Sequence, residues 1–109
     1  LSFNTPANFN KEIVKHSFHL YNIFINKKKD GISRDDLILE LHKKKIGVGI
    51  HYRAIPEHSV YKKKFGFKLN DYPNAKKIGR ETISLPLSPL LKKNEIRRVI
   101  DVLKNIFRK

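Results

Sequence analysis

The chain has 109 residues, with 24 Lys and Arg against 10 Asp and Glu, for a formal charge of +14. That length allows one domain with a modest core. The absence of cysteine rules out disulfides and thiolate metal sites, and no apolar run approaches the roughly 20 residues of a membrane helix.

Residues 1–12 open with the polar stretch Asn4, Thr5, Pro6 and Asn8 and read as a linker; a domain is expected over 13–109. No signal-peptide pattern precedes it, so a cytoplasmic domain is the expectation. The chain starts at Leu1 and contains no methionine, so a fragment or processed piece is expected. Ser17–Ile25 is rich in aromatic and β-branched residues of both parities and reads as a strand buried on both faces. Asn26–Gly31 is a charged turn. Ser33 then caps a helix, and Asp36 three residues on fits a capping-box variant. Leu37, Ile38 and Leu41 form the inward stripe of that helix, and Gly47 stands where it should end.

Val48–Arg53 reads as a second strand, with Val48, Ile50 and Tyr52 on one side and Gly49, His51 and Arg53 on the other. Ala54–Lys64 is expected to be a loop with a helical turn, and Ala75–Glu81 a short helix. Thr82–Leu87 is a third strand, stopped by Pro86 and Pro89. The last helix, Asn94–Phe107, has the cleanest period: Ile96, Val99, Ile100, Leu103, Ile106 and Phe107 follow the spacing of a core-facing stripe. The fold class is therefore α/β (α+β), a small three-stranded sheet covered by helices.

Chemistry concentrates in His51-Tyr52-Arg53-Ala54-Ile55-Pro56-Glu57-His58. This segment leaves the end of a strand, where a rigid element can position a loop. Its imidazoles, phenol and guanidinium suit a diphosphate or sugar hydroxyls, and Arg53 offers the planar fork that fits phosphate oxygens. His16-x-x-His19 cannot put both rings on one face of a strand, and no zinc-ligand spacing occurs. Gly47-Val48-Gly49 is too short for a phosphate-cradling loop and enters a strand rather than a helix. No catalytic residue and no metal ligand emerge.

Four segments in order carry a resemblance: His16-Ser17-Phe18-His19-Leu20-Tyr21; Ile46-Gly47-Val48-Gly49-Ile50-His51-Tyr52-Arg53-Ala54-Ile55; Phe65-Gly66-Phe67 with Tyr72-Pro73-Asn74-Ala75; and Ile83-Ser84-Leu85-Pro86-Leu87-Ser88-Pro89. They resemble the C-terminal domain of the DegT/DnrJ/StrS sugar aminotransferases. The resemblance implies the small domain of a fold type I enzyme whose large domain, absent here, holds pyridoxal phosphate on a lysine. It implies amino transfer from glutamate to a keto sugar nucleotide in polysaccharide or cell-surface sugar biosynthesis, by a homodimer. It also implies that His51, Tyr52, Arg53 and His58 contact substrate, and that this chain alone binds no cofactor and is inactive. Two departures stand out. Pro56-Glu57 replaces a common His-Leu, and Lys92 stands where a helix-capping Ser or Thr is usual, a loss of about 1 kcal/mol.

The charge supports an alternative, a basic module for nucleic acid or another polyanion. Against it, 18 of the 24 basic residues are Lys, and Lys, Ile and Asn fill 40 positions, the skew of AT-rich coding. The runs Lys27–Lys29, Lys43–Lys45, Lys62–Lys64 and Lys76–Lys77 are also spread along the chain. Lysines gathered on one exposed face would favour that alternative; lysines scattered over the helices would count against it. Nucleic-acid binding is therefore expected to be non-specific and salt-dependent.

Overall fold

The computed structural model describes residues 13, 15 and 17–108; the expected linker, residues 1–12, and His16 lie outside them. In chain order come β1 (Tyr21–Phe24), α1 (Lys27–Asp30), α2 (Arg34–Lys43), a 3-10 turn at Ile55–Glu57 and α3 (Ser59–Phe65). A second 3-10 turn at Leu69–Asp71, then α4 (Pro73–Glu81), β2 (Thr82–Leu85) and α5 (Lys93–Phe107) complete the order. The mixed helix-and-strand class holds, but among the described residues the sheet has two strands instead of three. β1 pairs antiparallel with β2, with Asn22 opposite Ser84 and Ile23 opposite Ile83.

The expected second strand shrinks to one rung, Gly49 opposite Ser84. Ser84 N donates to Gly49 O at 2.8 Å, and Gly49 N donates to Ser84 O at 3.1 Å. Both neighbouring rungs are pre-empted. On one side the next residue in phase on β2 is Pro86, which has no N–H to give. On the other side Thr82 donates its N–H to Ile78 O at the end of α4, and its carbonyl accepts from Arg34 Nη1 at 3.0 Å. A ladder with both adjacent rungs occupied cannot extend. The first strand is also shorter than its composition suggests. Phe18 has φ 50°, a left-handed conformation that no strand continues through, and pairing begins at Tyr21. Tyr21 is exposed, so β1 is not buried on both faces along its length.

Ser33 caps α2 as read from sequence: its Oγ accepts from Asp36 N at 3.2 Å. The reciprocal half of the box is different. The Asp36 carboxylate accepts from the Ser33 hydroxyl at 2.5 Å instead of reaching back to the backbone, as a longer glutamate would. The helix ends at Lys43, four residues before Gly47. Lys45 N donates to His42 O, Ile46 N donates to Leu41 O, and Lys45 takes φ 55°. This is a Schellman turn with lysine in the position that glycine usually fills. Its hydrophobic contact is intact, because Leu41 and Ile46 both belong to the core.

That core joins Ile23 and Ile83 of the sheet with Ile25, Leu37 and Leu41 of α2, Ile46, and Leu103 of α5. Only part of the α5 stripe reaches it. Leu103 is buried, but Ile96 and Ile100 are 46% and 44% exposed. At the start of α5, Lys92 has no side-chain oxygen to accept from the first turn. Only the Glu95 half of a capping box forms, with Lys92 N donating to Glu95 Oε2 at 2.8 Å.

Candidate functional site

His51 stands two residues after the Gly49 rung, on the same side of the chain. A Cβ built on Gly49 would fall 2.6 Å from His51 Cε1, so the ring lies directly over a residue that must lack a side chain. His51 Nδ1 is 2.7 Å from Ser84 Oγ. Ser84 is buried, and its hydroxyl donates in turn to Asn22 Oδ1. The alignment follows from register, since Ser84 is paired with Asn22 on one side and Gly49 on the other. Polar side chains of three chain segments thus form one line that fixes the imidazole.

His51 forms part of the wall of a cleft of about 390 Å³ shared with His19, Leu20, Val48, Leu85 and Leu87. The other expected contact residues are arranged differently. Tyr52 is exposed, with its ring edge-on to His51 at 4.9 Å between centroids. Arg53 Nε lies 3.7 Å from Glu57 Oε2, and Arg80 donates to Glu57 Oε1 at 2.9 Å. Glu57 therefore clamps its turn onto α4, a structural use for the residue that departs from the common pattern. His58 precedes α3 and sits edge-on to Tyr61, 6.4 Å between centroids. Of the four, His51 alone lines this cleft.

Ser84 and Asn22 drew no attention as functional residues in the sequence, and His19 was considered only as a metal ligand. The available signal was a pair of polar residues inside strands otherwise built from apolar and β-branched side chains. Among the described residues no group of three His, Cys, Asp or Glu could hold a metal ion. No described helix is long and apolar enough to cross a membrane. The lysine runs fall on four helices: α1, the end of α2, α3 and α4.

The sequence pattern of the DegT/DnrJ/EryC1/StrS aminotransferase family matches residues 1–104. The spore coat polysaccharide biosynthesis protein SpsC of Bacillus subtilis is 34% identical over 93 residues, 84% of this chain and 24% of that protein. Among solved structures, Spr1654 from Streptococcus pneumoniae, assigned as a sugar aminotransferase, superposes with a TM-score of 0.80 at 29% identity. The match covers 97% of this chain and 26% of Spr1654. Helicobacter pylori PseC, an aminotransferase involved in the biosynthesis of pseudoaminic acid, gives a TM-score of 0.70 at 27% identity over 83% of this chain and 24% of PseC. The chain spans about a quarter of the length of these relatives.

Proposed function

Because this chain belongs to the DegT/DnrJ/EryC1/StrS aminotransferase family, we propose that residues 13–109 form the small C-terminal domain of a cytoplasmic nucleotide-sugar aminotransferase. Residues 1–12 then connect it to a large cofactor-binding domain. The complete enzyme is a homodimer that moves an amino group from glutamate to a keto sugar nucleotide. The observation that carries this reading is the superposition of nearly the whole chain on one quarter of Spr1654.

The family works with pyridoxal phosphate, and a relative has been solved in its PLP form. The described residues do not fit that cofactor. A Schiff-base lysine must be enclosed beside an acidic partner for the pyridine nitrogen. None of the described lysines is buried, and Glu57, whose carboxylate is well enclosed, is engaged by Arg80. The cofactor therefore belongs to the large domain, and this chain contributes substrate contacts. His51 and Tyr52 serve the sugar end of the cleft, while Arg53 and His58 are candidates for the diphosphate. Arg53 has to share its charge with Glu57 to do so.

A chimera tests the reading. The matched quarter of Spr1654 is replaced by this chain, and the product is assayed with glutamate and a panel of keto sugar nucleotides. Release of 2-oxoglutarate, lost on His51→Ala, supports the proposal. A chimera that binds pyridoxal phosphate, folds cooperatively and transfers no amino group to any of the panel would overturn it.

A further inference from the structure

We infer that Ser84 and Asn22 are positioning residues that hold neutral His51 as its Nδ1–H tautomer, so that Nε2 is an acceptor that reads a sugar hydroxyl instead of a diphosphate oxygen. The recognition half rests on the reading of this chain as a substrate-contacting domain; the tautomer half stands on the geometry alone.

With the Asn22 amide oxygen turned toward Ser84, proton counting fixes the direction of the line. Asn22 Oδ1 carries no hydrogen and can only accept, so the single Ser84 hydroxyl proton is directed at it. What remains on Ser84 Oγ toward the imidazole is a lone pair. At 2.7 Å, His51 Nδ1 must then be the donor. A neutral imidazole has one N–H, so Nε2 is left with a lone pair. Ser84 is buried inside the sheet and cannot turn its hydroxyl to water. The ring is also held from below, because it lies over Gly49.

Nε2 has no hydrogen-bond partner among the described residues and is not enclosed. It is the free polar atom that His51 offers to the cleft, beside His19 and the apolar Leu20, Val48, Leu85, Pro86 and Leu87. An acceptor in that position binds a group that brings a proton. A sugar hydroxyl does; an ionised diphosphate oxygen does not, and two facing lone pairs repel. The serine and asparagine thus decide which part of a sugar nucleotide the histidine can recognise, without touching it themselves.

The tautomer is read from the ¹⁵N shifts and two-bond couplings of the ring nitrogens in the full chain, labelled on histidine, at a pH where the ring is neutral. The expected result is protonated Nδ1 in the unaltered chain, loss of that preference in Ser84→Ala, and its retention in Ser84→Thr, which keeps the hydroxyl. An Nε2–H ring in the unaltered chain, or a Ser84→Ala ring unchanged from it, overturns the inference. In the chimera, Ser84→Ala should raise KM for the keto sugar nucleotide by about tenfold, the size of one well-oriented hydrogen bond. Ser84→Thr should restore it, and inhibition by the nucleoside diphosphate lacking the sugar should not change. Equal weakening of both ligands overturns the recognition half. A chimera that folds cooperatively and binds pyridoxal phosphate but is inactive, with the Nδ1–H ring intact, overturns the aminotransferase reading and the recognition half while the tautomer half stands.

Discussion

Thr82 shows what the crowding around β2 costs at a single residue. Its backbone serves α4 and Arg34, and its side chain is buried with no hydrogen-bond partner for Oγ1 among the described residues. A hydroxyl in that state loses its hydration without compensation. Thr82→Val keeps the shape and removes the stranded group, so it should stabilise the chain by about 1 kcal/mol. For a domain of this size that is a rise in melting temperature of about 4–8 °C, checked by calorimetry. Lys45 is the second residue with a readable strain, an L side chain at φ 55°. Lys45→Gly should add about 1 kcal/mol, because glycine adopts the left-handed region without steric conflict. Gly47→Ala is the control. That residue has a negative φ and open space around it, so its loss should be nearly neutral in the same denaturant melts.

Among the elements, α4 is tied to the turn at Ala54–Glu57 at two points. Its Gly79 lies against the backbone of Ala54, and a Cβ there would come within 2.7 Å of Ala54 N. Arg80 holds Glu57 of the same turn at 2.9 Å. Gly79→Ala must push the helix off the turn that follows the His51 segment, at a cost of about 1–3 kcal/mol. A urea midpoint unchanged by this substitution would show that the helix can retreat freely. How far each element was legible in the sequence follows from where its determinants lie. α5 and α2 were readable because periodicity and the Ser33 cap act within a few residues. The end of α2 was misread because lysine fills a glycine position there, which local preference disfavours. The middle strand looked complete because Val48–Arg53 alternates well. It is cut to one rung by a proline and an arginine distant in sequence, competition that no local window contains. The His51 contact was hidden for the same reason: its partner Ser84 lies 33 residues away. The polar run His51–His58 is prominent in the sequence, but nothing there shows that Arg53 turns to Glu57.

At the scale of the whole molecule, the apolar surface is not closed. Ile96 and Ile100 on α5, with Leu87 before it, border a groove of about 580 Å³ between that helix and the sheet. Exposed apolar surface of this kind drives association. The chain should therefore self-associate at rising concentration, and Ile96→Lys with Ile100→Lys should suppress this in sedimentation runs while leaving the helix signal unchanged. The core and the site-bearing segment also differ in how they are attached. Residues 47–53 join the sheet through the Gly49–Ser84 rung and the His51–Ser84 side-chain hydrogen bond, whereas Ile23 and Ile83 pair inside the core. Breaking one rung exposes little apolar area, so that segment should open far more often than the chain unfolds. In native-state amide exchange, Gly49 should lose its protection well before Ile83, and by a route that denaturant hardly accelerates. The histidine is then mounted on an arm that detaches and reseats over an intact body, able to shift without disturbing the fold.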